Sequence, residues 1–315
     1  MGTGKGKMEY RLLRGAIRLM SCIPFNTGQF LGKMLGTAAY FLPIERRRVV
    51  HENIVTTIGK EMGYGDIRRL VKRVYRHYGQ MLFEVPHIVR LSPKNINRYV
   101  VFENPDVLER AVALGKGVFL LTAHFGNWEL LSAAVAIRFG GVLVVARSID
   151  YSPADTVINE LRCRFGTEII YKQRAMRKIL EGIKAGKMVG ILLDQNVDWY
   201  EGVFVDFLGR PACTNKGLAA IALKTGSPVL PCFSIRQRDG RYRVVFEKEI
   251  ELNGTGDRTR DVEEGTAKLT GVIERYVRLY PDHWFWFHRR WKTLPYCTLP
   301  GSTGIESQVP GRSHA

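Results

Sequence analysis

From Gly117 onward, short apolar runs alternate with longer segments that have helical periodicity. The runs are rich in Val, Ile, Leu and Phe and contain few polar residues, which is typical of strands buried on both faces. This pattern predicts an α/β fold with a mainly parallel or mixed sheet flanked by helices. The predicted strands are 117–122, 142–146, 189–193, 229–235 and 242–247, and helices are expected at 153–165 and 174–185.

The N-terminal segment, residues 1–44, differs from the rest of the chain. It is rich in Leu, Ile, Met, Phe and Gly, but Arg14, Arg18 and Lys33 divide it into pieces shorter than the roughly 20 residues of a spanning helix. We therefore expect a membrane-associated helical element that lies on the bilayer, with the basic cluster 46–48 beside anionic lipid. A pair of ordinary core helices is the alternative.

The remaining chain is expected to form one catalytic domain, residues 45–298, followed by a tail at 299–315. The tail has no apolar periodicity, which predicts disorder. The five cysteines are widely spaced and form no C-x-x-C pair, so neither a disulfide framework nor a zinc site is indicated. Lys and Arg exceed Asp and Glu by 47 to 30, a net charge of +17, which predicts attraction to an acidic partner or surface.

A histidine and a glutamate lie five positions apart in LLTAHFGNWEL, residues 120–130. On one continuous helix their side chains would point about 140° apart. The run before His124 is β-prone and a helix is expected from Glu129, so the residues between them form a tight turn. Gly126 can adopt an unusual backbone angle there, and Asn127 is suited to cap the helix. We therefore expect Glu129 to approach His124 and hold the tautomer of a general base.

Two further ionisable residues follow predicted strands. Arg147 comes after VLVVA and Asp194 after VGILL. Because ligands collect at the carboxyl ends of parallel strands, we expect both residues to line one cleft with His124. Thr122 lies within a strand and no serine elbow is present, which indicates that the attacking hydroxyl belongs to the substrate. The H-x4-E spacing also lacks the one-face geometry of a zinc helix, so no metal is expected.

Two basic segments carry weaker signals. FLGRPACTNKG, residues 207–217, is predicted to be a loop in which Arg210 or Lys216 meets either a phosphate or solvent. Four arginines alternate around a predicted turn and are expected on the exposed rim of a hairpin; they are Arg236, Arg238, Arg241 and Arg243.

Several ordered blocks of the sequence resemble a known family. HFGNWE, with His124 and Glu129, is similar to the H-x4-D/E box of glycerolipid-type acyltransferases. Its G-N-W-E form resembles the lipid A biosynthesis late acyltransferases, which transfer lauroyl or myristoyl chains. The resemblance extends up to Thr293 through ERRRVVHENI, GKGVFLLTAHFGNWE, ARSID, GILLDQN, VDFLGRPACTNKGLAAIALKTGSPVLPCF and WFWFHRRWKT.

The resemblance implies an enzyme of the bacterial inner membrane whose active site faces the cytoplasm and which needs no cofactor. It would move an acyl chain from acyl carrier protein to a hydroxyl of a lipid A precursor, a secondary acylation in lipopolysaccharide biosynthesis. The partners implied are acyl carrier protein, a glycolipid acceptor and the membrane surface. The first two are acidic, which agrees with the positive charge of the chain.

The resemblance also implies roles for individual residues. His124 is then the general base and Glu129 its partner. Arg147 and Asp194 match residues of the later boxes that line the site. The oxyanion donors are expected among the backbone N–H groups of the turn, at Gly126 and Asn127, or at Arg147.

Other functions fit the residues less closely. The acceptor could be another glycolipid, such as a mannosylated phosphatidylinositol, because acyltransferases acting on it share these boxes. A thioesterase would use the same histidine to activate water. A non-catalytic membrane or nucleic-acid-binding protein would use the basic charge and the aromatic segment HWFWFHRRWK, residues 283–292. Recognised RNA-binding motifs are absent, so no nucleic acid partner is expected.

Overall fold

The computed structural model describes residues 4–42, 45–171 and 175–295. The helices are α1 (Gly4–Cys22), α2 (Phe25–Phe41), α3 (Glu45–Val55), α4 (Tyr64–Glu84), α5 (Pro105–Ala113), α6 (Trp128–Phe139), α7 (Ser152–Cys163), α8 (Ala175–Lys184), α9 (Gly217–Thr225) and α10 (Arg258–Leu279). The strands are β1 (Val100–Glu103), β2 (Val118–Thr122), β3 (Val142–Ala146), β4 (Glu168–Tyr171), β5 (Met188–Leu192), β6 (Gly202–Asp206), β7 (Pro211–Asn215), β8 (Val229–Arg236) and β9 (Tyr242–Phe246). Short 3-10 helices cover Ile58–Glu61, Val85–Arg90 and Ile96–Arg98. The predicted disordered tail lies outside the described residues.

Seven strands form one sheet in the order β1-β9-β8-β2-β5-β3-β4. Neighbouring strands are parallel except β8 and β9, which are antiparallel. Buried residues of α5, α6 and α7 form a core on one face, and those of α8, α9 and α10 form a core on the other. The predicted α/β fold with a mainly parallel or mixed sheet is therefore confirmed.

Strand β2 lies at the centre of the sheet, between β8 and β5. All five of its residues are buried. Phe119 and Leu121 belong to the core on one face, and Val118 and Leu120 to the core on the other. Because both faces are covered, the strand sequence is apolar throughout. The residue that follows this strand by two positions, His124, therefore lies at the middle of the carboxyl edge of the sheet.

Helices α2 and α4 pack with their backbones in direct contact. Gly28, Gly32 and Gly36 are four residues apart and share one face of α2. A side-chain carbon at Gly32 would collide with the backbone of Gly79, and one at Gly36 with the backbone of Tyr75. Glycine is therefore needed at both positions, and the N-terminal helices are fixed to the helix that leads towards the sheet.

The outer faces of α1 and α2 carry exposed apolar side chains. Met8, Leu12 and Leu19 of α1, and Phe30 and Met34 of α2, are all more than half exposed, with values from 57% to 73%. Among the described helices, none combines the length and the apolar character that crossing a bilayer requires. The association of this segment with a membrane stays a prediction.

Four strands were not predicted: β1, β4, β6 and β7. The prediction of a loop over residues 207–217 was wrong, because β7 occupies its centre and pairs with β6 as an antiparallel hairpin. Pro211, Thr214 and Asn215 belong to residue types that local rules assign to turns. The pairing with β6 overrides that preference.

Candidate active site

The turn after β2 has the local structure that the sequence predicted. Gly126 has φ +60°, the left-handed region that glycine adopts without strain. A side-chain carbon there would also collide with the backbone of Ser234. Asn127 is the N-cap of α6, and its side-chain oxygen accepts a hydrogen bond from Leu130 N at 3.0 Å. The chain thus leaves the sheet edge and starts α6 within a few residues of His124.

The imidazole of His124 pairs with Asp194, which follows β5. His124 Nδ1 lies 2.9 Å from Asp194 Oδ1, and the backbone N–H of His124 donates to Asp194 Oδ2 at 3.0 Å. Trp284 Nε1 also donates to Oδ2, at 2.8 Å. With Asp194 accepting the proton of Nδ1, the Nε2 nitrogen keeps its lone pair. The arrangement is a histidine oriented by a carboxylate, which is the geometry that a general base requires.

The environment of Asp194 keeps this carboxylate ionised. Its side chain is fully buried, and burial alone would raise its pKa. Electrostatic interactions with His124 and His288 and the hydrogen bonds from His124 and Trp284 outweigh burial, so the pKa of Asp194 lies well below its ordinary value. His288 lies nearby, with Nε2 3.9 Å from Asp194 Oδ2, and burial lowers its pKa to about 3. Asp194 is therefore an anion that accepts hydrogen bonds from His124 and Trp284.

In the part of the chain that the structure describes, Glu129 makes no hydrogen bond to His124, contrary to the prediction. Its carboxylate binds Arg162 of α7, with Nε at 2.9 Å and Nη2 at 2.5 Å, and it accepts from Trp128 Nε1 at 3.1 Å. The reason is that α6 begins at Trp128, which directs Glu129 towards α7. The expected orienting contact is therefore corrected to Asp194, whereas a catalytic role for Glu129 stays a prediction.

A cavity of about 810 Å³ opens beside His124. Glu129 and Arg162 line it on one side of the histidine, and Arg147 lines its rim with an 82% exposed side chain that lies 3.6 Å from Asp150. Most of its wall is apolar; representative residues are Leu120, Leu131, Val135, Val142, Val144, Ile179, Ile191, Leu218 and Ile221. The site thus joins a histidine base to a hydrocarbon-lined space.

The predicted oxyanion donors of the turn already have partners. Gly126 N donates to His283 O at 2.9 Å, and Asn127 N donates to Ser234 Oγ at 3.1 Å. Neither residue lines the cavity. A role in binding the oxyanion would require both N–H groups to leave these partners, so it stays a prediction without support from the hydrogen bonds.

Gln195 was not singled out from the sequence, although it directly follows Asp194. Its exposed side chain lines the cavity, and its Nε2 lies 3.3 Å from His124 Nε2. The amide can donate to the lone pair of the base. The sequence signal was present in the strand-end motif GILLDQN, but an amide at a strand end has no charge to draw attention to it.

The aromatic segment 283–292 is largely buried. Trp284 and Trp286 are 0% exposed and Trp291 is 8% exposed. Trp284 supports Asp194, and Arg290 is buried and donates to Gln195 O at 3.0 Å and to Cys213 O at 2.8 Å. These three tryptophans are therefore buried in the core beside Asp194 and are not exposed for stacking on nucleic acid.

A buried ion pair lies beneath the turn. Glu84, at the end of α4, binds Arg236 through Nε at 3.0 Å and Nη2 at 2.9 Å. Tyr242 OH and Asn127 Nδ2 also donate to Glu84, at 2.7 Å and 3.1 Å. Burial would lower the pKa of Arg236, but Glu84 raises it above its ordinary value. The prediction of an exposed rim was wrong for this arginine, whose side chain is only 8% exposed.

The same ion pair reaches the turn through His77. Arg236 Nη1 lies 2.6 Å from His77 Nδ1, and His77 Nε2 lies 3.2 Å from Gly126 O. Burial, and then the charges of Arg236 and His283, lower the pKa of His77 well below its ordinary value. Neutral His77 must therefore accept from Arg236 and donate to Gly126. We call Glu84, Arg236, His77, Tyr242 and Asn127 the Glu84 network.

Comparison with known proteins places these features in a family. The family model of the bacterial lipid A biosynthesis acyltransferases matches residues 8–293. The lipid A biosynthesis lauroyltransferase of Escherichia coli strain K12 is 25% identical over 286 residues, covering 89% of this chain and 90% of that protein. The lipid A biosynthesis palmitoleoyltransferase of the same strain is 22% identical over 283 residues, with 89% and 90% covered.

A relative that is named for another acceptor is also similar. The phosphatidylinositol mannoside acyltransferase of Mycobacterium tuberculosis strain CDC 1551 / Oshkosh is 26% identical over 220 residues, covering 68% of this chain and 67% of that protein. The family model, by contrast, extends over nearly all of the described residues. The chain belongs to the bacterial lipid A biosynthesis acyltransferase family.

Proposed function

We propose that the protein transfers a fatty acyl chain from acyl carrier protein to a hydroxyl of a lipid A precursor. Family membership supports an acyltransferase of lipid A biosynthesis. The observation that carries the chemistry is the His124–Asp194 pair, 2.9 Å apart beside an apolar cavity of about 810 Å³. An oriented base next to a hydrocarbon site is what acyl transfer from a thioester to a hydroxyl requires.

In this mechanism His124 Nε2 removes the proton from the acceptor hydroxyl as its oxygen attacks the thioester carbonyl. The tetrahedral intermediate then expels the thiolate as the carbon–sulfur bond breaks and the new ester forms. The imidazolium returns its proton to the sulfur. Asp194 holds the ring in the required tautomer and stabilises its positive charge during the reaction.

Gln195 is the side-chain donor that we assign to the developing oxyanion. Its amide lies 3.3 Å from His124 Nε2, so it borders the position where the hydroxyl must bind. When the hydroxyl displaces this amide from the imidazole, the N–H groups can turn to the carbonyl oxygen. Side-chain amides serve in this way in other acyl-transfer sites. Arg147 is too exposed at the rim to be the first choice.

Glu129 has a different part in this proposal. It holds the guanidinium of Arg162 at the cavity wall in a bidentate pair whose two side chains are 10% and 18% exposed. An arginine fixed in this way fits an anionic group of a substrate, because guanidinium groups recognise phosphates and carboxylates by planar hydrogen bonding. Glu129 would then position a binding residue and not the base.

We further propose that the protein acts at the cytoplasmic face of the bacterial inner membrane. The exposed apolar side chains of α1 and α2 support contact with a bilayer surface. The basic cluster 46–48 follows α2 in the chain; its Arg48 is 82% exposed, pairs with Glu52 at 2.6 Å and would favour anionic lipid. Co-sedimentation with anionic vesicles, compared with a Leu12→Ser/Leu19→Ser variant, tests this contact; equal sedimentation of both proteins would contradict it.

A mannosylated phosphatidylinositol is the second candidate acceptor. The similarity to phosphatidylinositol mannoside acyltransferases favours it, although the Mycobacterium tuberculosis relative covers 68% of the chain and the Escherichia coli lauroyltransferase covers 89%. The apolar cavity and the histidine pair would serve either lipid. The acceptor must therefore be identified by assay.

The test uses the protein in detergent with lauroyl- or myristoyl-charged acyl carrier protein and a tetra-acylated lipid A precursor that carries Kdo sugars. Mass spectrometry of the lipid should show a gain of one acyl chain, which His124→Ala abolishes. Unchanged lipid with a charged carrier would reject this acceptor and move the test to mannosylated phosphatidylinositol. Free fatty acid without acylated lipid would show a thioesterase and refute the transferase.

A further inference from the structure

The cavity beside His124 reaches both faces of the central sheet. On the face covered by α6 its wall includes Val135 and Cys232, which belong to one core cluster. On the opposite face its wall includes Ile179 and Ile221, which belong to the other core cluster. Because a paired sheet separates its two faces, the cavity must pass the sheet where strands are not paired.

Strands β3 and β5 separate at their carboxyl ends. Their last paired residues are Val144 and Gly190, although β3 continues to Ala146 and β5 to Leu192. Residues on both sides of this gap line the cavity. The gap therefore joins two branches of the cavity, and Gly190 lies at its closed end.

The two branches differ in how far their walls are exposed. The inner branch, beneath α6, is walled by Val135, Val142 and Cys232, all at most 3% exposed, and reaches the first residue of β3. The outer branch, beside α8 and α9, has Met176 at its rim, 49% exposed, together with Lys216. The inner branch also includes Ser132 and the Glu129–Arg162 pair, so its wall is buried and mostly apolar, whereas the outer branch opens past polar and exposed residues.

We propose that this cavity binds two hydrocarbon chains at once, the acyl chain of the donor in the inner branch and an acyl chain of the acceptor lipid in the outer branch. The inference rests on the proposed function. A branch with a buried, mostly apolar wall suits the free end of a single linear chain, whose reactive carbonyl then stays beside His124. An open branch with a polar rim suits a chain that remains attached to a larger lipid.

Gly190 then determines the chain length that the inner branch accepts. A side-chain carbon at Gly190 would lie 3.5 Å from Val142 Cγ1 and 3.7 Å from Val144 Cγ2, which are ordinary contact distances. Gly190→Ala should therefore fold while it narrows the branch, and Gly190→Val adds two further carbons there, so its folding is checked by circular dichroism. The next residue, Ile191, points to the opposite face and lines the outer branch. Ile191→Phe is thus a matched variant on the same strand.

The experiment compares the wild type with Gly190→Ala, Gly190→Val and Ile191→Phe, using acyl carrier protein charged with chains from decanoyl to palmitoyl. We expect Gly190→Val to lower kcat/KM for the longest accepted chain roughly tenfold or more, since pockets discriminate at the level of single methylene groups. The KM for the acceptor should stay unchanged. Ile191→Phe should raise the acceptor KM and leave the preferred donor chain the same.

A second measurement needs no turnover and so separates this inference from the proposed function. Native mass spectrometry with saturated free fatty acids as the probe should show two bound per wild-type chain, and weaker binding of the longer acids to Gly190→Val at one site only. One bound fatty acid, or equal shifts of the donor profile in Gly190→Val and Ile191→Phe, would overturn the two-chain arrangement. Two bound fatty acids without any acyl transfer would refute the proposed function alone.

Discussion

Glu84→Gln should lower the free energy of unfolding much more than the similar size and shape of the two side chains would indicate. Glu84 is 1% exposed and accepts hydrogen bonds from Gln29, Asn127, Tyr242 and twice from Arg236. The glutamine keeps the shape but leaves the guanidinium of Arg236 buried without a compensating charge. Breaking a buried pair from one side costs about 3–5 kcal/mol.

The matched control is Glu247→Gln. Glu247 also binds an arginine and a tyrosine, Arg275 at 2.5 Å and Tyr276 OH at 2.7 Å, but Arg275 is 51% exposed and water can replace the lost contacts. Its substitution should cost only about 1 kcal/mol. Urea unfolding followed by circular dichroism gives both values from the transition midpoints.

Activity provides an independent measure of the same perturbation. The Glu84 network holds Gly126 O and the Asn127 side chain, so its loss should move the turn that carries His124 and lower kcat with little change in either KM. Glu84→Gln/Arg236→Gln should recover part of the stability, because no unpaired charge then remains. If Glu84→Gln and Glu247→Gln unfold at the same urea concentration, the argument from a buried charge is refuted.

His124→Ala and Asp194→Asn should each lower kcat by roughly 100- to 10,000-fold, the range of a lost or misoriented base, with unchanged circular dichroism spectra. Glu129→Gln should instead raise KM for an anionic substrate. If Glu129→Gln lowered kcat alone, the assignment of Asp194 as the residue that orients His124 would be contradicted. Because the folded state lowers the pKa of Asp194, its contribution to stability is complete above the ordinary carboxyl pKa and is lost as the pH falls below about 4. Urea midpoints measured across this range should therefore decrease less in Asp194→Asn than in the wild type, and parallel decreases would argue against the shift. Gly32→Ala should destabilise by roughly 1–3 kcal/mol through overpacking against Gly79, whereas Gly15→Ala, with open space around it, should be neutral or slightly stabilising in the same melts.

The long apolar strands and the turn at His124 were predictable because their signals are local. The run Val118–Thr122 carries its own β-propensity, and Gly126 and Asn127 match the backbone angle and the cap that a strand-to-helix turn requires. Of the two strand-end residues, Arg147 lines the rim of the cavity and Asp194 binds His124. Both positions agree with the rule that ligand sites form at the carboxyl ends of parallel strands.

The partner of His124 could not be chosen from sequence spacing alone. Glu129 is five residues away along the chain and Asp194 is 70 residues away, yet only the second faces the imidazole. That choice depends on the direction in which α6 leaves the sheet and on which strand lies beside β2, and both are tertiary properties. The burial of Arg236 was missed for the same reason, because its partner Glu84 lies 152 residues away on another element.

The pairing of β2 with β5 makes the His124–Asp194 contact a reporter of strand register. Thr122 is aligned with Leu192 at the end of the two strands. His124 and Asp194 each follow these residues by two positions and therefore lie opposite each other. A slip of one residue would turn one of the two side chains towards the other face of the sheet. Because these residues are 70 positions apart in sequence, the pair forms only once β2 and β5 have paired, which closes a long loop. Appearance of activity during refolding should therefore coincide with completion of the central sheet, so that partly folded chains in the cell would carry no misdirected acyl-transfer chemistry.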